Sequence, residues 1–125
     1  MTTLSKIILT PLKKTAVSVP TQEKYDVLMQ VYEAGGWKWS NKDLPTEYNC
    51  LVNYKEKTCI NAGVDFFTGE KGMVEYCDRK VYNKENWRII SQQEFYKIQK
   101  ITNKTLKELE NWFEEYKPNR TSKGN

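Results

Sequence analysis

Two glycines, two indoles and an ammonium group stand together at Gly35-Gly36-Trp37-Lys38-Trp39, and the chemistry that this set suits is holding a partner rather than reacting with one. Trp37 and Trp39 are two apart, so in an extended segment they share a side while Lys38 takes the other. Paired indoles can stack on a base or anchor a protein interface, where tryptophan is enriched among the dominant contacts. The same rings can also cover the end of the preceding helix as core. Phe66 and Phe67 are adjacent and face opposite ways if extended, which places one of them at the surface. Arg79, Tyr82 and Arg88 complete the candidate contact set. Cations interleaved with Tyr76, Tyr82 and Trp87 can grip a phosphate and stack on a ring, although solvated strand faces with cross-strand ion pairs give the same pattern.

Groups suited to catalysis are scarce. The chain has no histidine, so the commonest general base and metal ligand is missing. Cys50, Cys59 and Cys77 fall in strand-like segments with no imidazole to raise their thiolate fraction, which makes them structural thiols. Three cysteines without C-x-x-C spacing indicate neither a disulfide framework nor a zinc knuckle, and they fit a reducing cytoplasm. Asp43 with Glu47 and Glu75 with Asp78 are spaced like ordinary surface carboxylates. The Thr68-Gly69-Glu70-Lys71-Gly72 segment lacks the spacing of a phosphate-binding loop. These features predict a non-enzymatic protein with no cofactor and no metal.

Lys and Arg number 20 against 16 Asp and Glu, for a net charge of +4. Acidic residues interrupt almost every basic run, whereas dedicated nucleic-acid binders concentrate positive charge on one face. The charge argument for DNA or RNA is therefore weak. No apolar run approaches the roughly 20 residues that span a bilayer.

The elements that must position these residues are legible from periodicity and caps. At 125 residues the chain fits one domain, expected over 1–117, with 118–125 as a disordered basic tail after Pro118. Residues 4–9 read as a short strand or arm and 15–19 as an edge strand. Thr21 caps a helix in which Tyr25, Leu28, Met29 and Tyr32 recur at helical spacing, and Gly35 supplies the left-handed residue that ends it at Ala34. Residues 50–54 and 58–62 alternate as a hairpin, 65–72 form a glycine-bounded loop, and 73–76 and 87–90 are further strands. Ser91 with Glu94 makes a capping box for a helix carrying Phe95, Ile98 and Ile101. A further segment carries Leu106, Leu109, Trp112, Phe113 and Tyr116, continuous with that helix or broken from it at Thr102-Asn103. The sum is an α+β fold: an antiparallel sheet of about four to five strands, one helix in the central region, and C-terminal helix or helices packed on one face.

Residues 25–95 resemble small, mostly uncharacterised accessory proteins of tailed bacteriophages and prophages. The likeness rests on Tyr25-Asp26-Val27-Leu28-Met29-Gln30-Val31-Tyr32-Glu33-Ala34 leading into Gly35-Gly36-Trp37-Lys38-Trp39, on Leu44-Pro45-Thr46-Glu47-Tyr48, and on Trp87-Arg88-Ile89-Ile90-Ser91 with Glu94-Phe95. Those motifs carry a fold and no catalytic set. The resemblance implies a viral accessory role in the host cytoplasm, of the kind often filled by binding a host or defence component. The expected function is thus inhibition of a host or antiviral defence factor, by masking a protein surface or by sequestering a nucleotide signal. One alternative is a sequence-tolerant binder of single-stranded nucleic acid through Trp37, Trp39, Arg79, Tyr82 and Arg88. Another is a virion component that forms a homo-oligomer through its C-terminal aromatic helix.

Overall fold

The computed structural model describes residues 7–47, 49–51, 55–65 and 67–116. They form an α+β fold with strands β1 (Thr15–Ser18), β2 (Lys38–Trp39), β3 (Thr58–Asn61), β4 (Met73–Val74), β5 (Tyr76–Asp78) and β6 (Arg88–Ile90). The helices are α1 (Gln22–Ala34), α2 (Arg79–Lys84), α3 (Gln92–Ile98) and α4 (Asn103–Tyr116), with short 3-10 turns at Pro45–Glu47 and Lys55–Lys57. One sheet has the order β5-β3-β1-β6, antiparallel except that β1 and β6 run parallel. A separate ribbon pairs β2 with β4 in parallel.

The strand predicted at the edge lies inside the sheet. Pro11 and Pro20 flank β1 without entering it, so no ladder hydrogen bond is lost and β3 and β6 pair with its two sides. Among the described residues, the predicted hairpin is not found. Cys50 and Leu51 lie outside the sheet: the Cys50 N–H donates to Tyr25 Oη at 3.2 Å and the Leu51 N–H to Asn49 Oδ1 at 3.1 Å. β3 pairs instead with β1 and β5. Residues 52–54 of that hairpin, residues 4–6 of the arm, Phe66 and the tail 118–125 lie outside the described residues.

Strand alternation divides the core in two. Val17, Ile60 and Ile90 point to the larger side, where Leu28, Met29 and Tyr32 of α1, Phe95 of α3 and Leu109 of α4 pack on them. Ala16, Cys59 and Ile89 point to the other side, where Tyr82 and Trp87 cover them. Helices therefore lie on both faces: α2 occupies the face that the sequence left bare. It was missed because its six residues are too few to show a helical period, and Asp78 caps it by accepting from the Lys80 N–H at 2.9 Å.

Three helices end in the same way. The N–H of Gly36 reaches Glu33 O and that of Trp37 reaches Tyr32 O, both at 3.0 Å, and Gly36 has φ 81°. This is the Schellman arrangement, so Gly36 rather than Gly35 is the left-handed residue. Gly35 has φ −86° and is needed for a different reason, since a Cβ there would sit 2.3 Å from Leu9 Cδ1 in the arm that crosses it. Asn86 and Lys100 take the corresponding position after α2 and α3, with φ 62° and 61°. Lys100 separates α3 from α4, and Thr102 Oγ1 then caps α4 by accepting from the Thr105 N–H at 3.2 Å. The C-terminal segment is thus two helices.

Candidate binding loop

Trp37, the first candidate contact, is 4% exposed, and Trp39 is 5% exposed. They share a side, as two-residue spacing requires, but that side is the core. The Trp37 ring centroid lies 4.8 Å from Tyr32 and 6.2 Å from Phe95. Trp39 meets Tyr76 edge-on and donates from Nε1 to Pro45 O at 3.2 Å, which satisfies its one polar atom. Tyr82 is 1% exposed and packs under Trp87 with centroids 5.1 Å apart. None of these three rings presents a face to a partner. Lys38, between the indoles, is half-buried on the opposite side of β2.

Arg79 and Arg88 are exposed but start from opposite edges of the sheet. Arg79 Nη2 donates to Ser18 Oγ at 3.3 Å, and Arg88 is paired with Glu94. That pairing draws the Glu94 side chain away from the reciprocal half of the predicted capping box, although Ser91 Oγ still accepts from the Glu94 N–H at 3.0 Å. A stacking and phosphate-gripping surface of Trp37, Trp39, Arg79, Tyr82 and Arg88 is therefore not assembled.

Phe67 has the opposite fate, with 83% of its surface exposed. Its loop is built from local polar chemistry. The Asp65 carboxylate, itself buried, accepts the Phe67 N–H at 2.8 Å and the Thr68 N–H at 2.9 Å. The Asp65 N–H donates to Glu70 O at 2.9 Å, the Gly69 N–H to Asp65 O at 3.0 Å, and Val64 bridges to Lys71 across the base. An aspartate that accepts the amides two and three residues on sets a turn by local hydrogen bonding. The base is fixed by Gly63 and Gly72, whose backbones join through Gly72 N–H to Gly63 O at 2.8 Å. Gly63 has φ 85°, and the Trp37 ring fills the place of the Cβ it lacks.

Trp37 thus braces, from inside, the loop that carries Phe67 outside. Thr68, Glu70 and Lys71 of the same loop are also exposed. Covering the 83% of a phenylalanine surface of roughly 200 Å² that is exposed, at about 25 cal/mol per Å², yields on the order of 4 kcal/mol before the ordering costs of association. A loop already held by its own hydrogen bonds keeps those costs low.

The thiols are poorly disposed to react. Burial pushes Cys50 up to about 12 and Cys59 up to about 11, the latter only partly offset by Arg79, and burial also raises Cys77. Little thiolate exists near neutrality at such values. Among the described residues, no three His, Cys, Asp or Glu side chains gather as metal ligands, and no helix is long and apolar enough to cross a membrane. The apolar stripe of α4 is used inside the chain: Leu109 and Phe113 are buried, and α4 packs on α1. A cleft between α1 and α3 was not legible in sequence, because its polar members, Glu23, Lys24, Gln92 and Tyr96, have the spacing of a helix surface. No family model, no curated protein and no solved structure matches this chain.

Proposed function

We propose that this chain is a non-enzymatic, phage-encoded binding protein that inhibits a host or defence protein in the host cytoplasm, with Phe67 as the residue that enters the partner. One observation carries the proposal: a phenyl ring 83% exposed on a loop whose shape is fixed by Asp65. Exposed aromatics on pre-shaped loops serve as interface anchors, since they bring large area at little entropic cost. The phage setting rests on the resemblance of residues 25–95 to small accessory proteins of tailed phages. Protein masking is favoured over single-strand binding because the rings that would have stacked on bases are in the core.

The test is affinity capture from bacterial host lysate with the wild-type chain and with Phe67→Ala. A partner retained by the wild type should weaken by roughly 30-fold or more for the variant, as for a central aromatic contact. The variant's thermal midpoint should change little, because the Phe67 side chain is 83% exposed. A partner retained equally by both proteins would remove Phe67 from the interface.

A further inference from the structure

β3 and β5 run antiparallel in a register that sets Cys59 directly opposite Cys77. Residues opposite each other on neighbouring strands point to the same face, and these two share the smaller core, where Cys59 packs with Ala16 and Tyr82 and Cys77 lies against them. Two residues along the same ladder the Asn61 N–H donates to Glu75 O at 3.1 Å, so Cys59 and Cys77 are also a hydrogen-bonded pair. Cα atoms in such a pair are about 5.5 Å apart, inside the span of about 4.4–6.8 Å over which a disulfide closes. Their Cβ atoms stand slightly wider than a disulfide prefers. β5 can close that gap, because it is three residues long and lies at the end of the sheet. Cys50 packs in the larger core, with its N–H on Tyr25 Oη, and has no place in this pair. Of the three pairings that three cysteines allow, the fold therefore assembles one.

The two thiols differ in access. Cys59 is fully buried, whereas Cys77 is half-buried and can meet a small disulfide from solvent. Burial raises the Cys59 thiol to about 11, and Arg79, which hydrogen-bonds to it and to Ser18 Oγ, works in the opposite direction by favouring the thiolate.

We propose that Cys59 and Cys77 are a redox modification site and form a reversible disulfide, with glutathione disulfide as the oxidant. In the first step the Cys77 thiolate attacks one sulfur of glutathione disulfide: the bond from Cys77 Sγ to glutathione forms, the glutathione S–S bond breaks, and one glutathione thiolate leaves. The Cys59 thiolate then attacks Cys77 Sγ, forming the bond between the two cysteines and expelling the second glutathione thiolate. The cysteine pair loses two electrons, glutathione disulfide gains them, and the two glutathione thiols take up the two protons that the cysteines release. Both attacks use a small thiolate fraction, so closure is slow near neutrality. A bridge across the wider kind of strand pair is strained, which lets glutathione reopen it. The bond closes a ring around residues 60–76, the segment that carries the Phe67 loop. The site stands whether or not Phe67 enters a partner.

The experiment incubates the full folded chain in mildly alkaline buffers of rising glutathione disulfide to glutathione ratio, blocks free thiols with iodoacetamide, and maps the trypsin digest by mass spectrometry without reduction. Trypsin cuts after Lys57, Lys71 and Arg79, so the bridge joins peptide 58–71 to peptide 72–79 with the loss of two hydrogens. The expected result is that linked pair, with Cys50 alkylated and the bond reversed by excess glutathione. Closure should need at least about tenfold less glutathione disulfide in the folded chain than in urea, because the fold holds the two thiols together. The bridged chain should melt roughly 5–10 °C above the reduced one, and Cys77→Ala should show no such rise. Glutathione attached to Cys77 with no bridge, a bridge that includes Cys50, a dimer linked through Cys77, or closure no easier in the folded chain than in urea would each overturn the proposal.

Discussion

Substituting alanine at two glycines separates backbone strain from steric blockage at the base of the Phe67 loop. Gly63 and Gly69 have φ 85° and 74°, so a Cβ costs a similar amount of backbone strain at each, about 1–2 kcal/mol. Roughly 0.4–1 kcal/mol of that is recovered because alanine loses less freedom on folding. Gly69→Ala meets nothing within 4 Å and should therefore cost about 1 kcal/mol. At Gly63 the new methyl would lie 2.5 Å from Trp37 Cζ2 and 2.6 Å from Cη2. The indole cannot retreat, since Tyr32 and Phe95 hold it from behind at centroid distances of 4.8 and 6.2 Å. Overpacking of this kind adds about 1–3 kcal/mol, for a total near 3 kcal/mol. Urea unfolding read by far-ultraviolet circular dichroism gives both values without relying on the indole signal that the substitution disturbs. If the two variants agree within about 0.5 kcal/mol, Trp37 is not wedged against Gly63, and its bracing of the loop is refuted.

Asn61 is fully buried and holds three backbone groups: its Nδ2 donates to Val64 O at 2.6 Å and Met73 O at 3.0 Å, while Oδ1 accepts the Glu75 N–H at 2.6 Å. Asn61→Asp turns that donor into an acceptor facing two carbonyls and should cost at least about 3 kcal/mol at pH 7 by urea titration, partly recovered in acid, where the introduced carboxyl can donate. Lys100→Gly relieves a left-handed lysine and should raise stability by about 0.5–1 kcal/mol; a loss in thermal melting would show that the lysine side chain matters there. Alkaline stability follows from burial, which raises Cys50 and Cys59 to about 12 and 11 and also raises the hydroxyls of Tyr25, Tyr32, Tyr82 and Tyr96. The unfolded chain releases these protons from about pH 8.5 for thiols and about pH 10 for phenols, while the folded chain keeps them. Their contribution is full below about pH 8.5 and falls as pH climbs toward 12, by up to about 1.4 kcal/mol per pH unit for each group in its window. Urea midpoints that stay flat to pH 11 would contradict this.

The parts of the fold that were legible in sequence are those written in local chemistry. Thr21 at the start of α1 and Ser91 at the start of α3 act as caps as read, because a hydroxyl that accepts an amide three residues on needs nothing from the rest of the chain. What was lost depends on distant partners. The alternation of residues 50–54 fits a strand, but the edge of β3 they would have joined is taken by β1, more than 40 residues earlier in the chain. Strand pairing is decided by competition for an edge, and a single segment does not contain its competitors. The parallel approach of β6 to β1 was hidden for the same reason.

The candidate site shows the same division. In sequence the aromatic residues look like a supply of contact surface, yet a chain of this size has few large side chains with which to fill a core. Tryptophan and tyrosine bury well once their single polar atom finds a carbonyl or an amide, as Trp39 does at Pro45 O and Tyr32 at Asn61 O. Phe67 stays at the surface on a turn that Asp65 closes by accepting the amides two and three residues on. The same sequence pattern, two phenylalanines beside glycines, would also suit a loop folded inward. What distinguishes the cases is the carboxylate preceding the pair, and its signature, an aspartate followed at two to four residues by threonine and glycine, was present at Asp65, Thr68 and Gly69. Recognition potential in this chain therefore tracks the polar residue that shapes a loop more closely than the number of rings nearby.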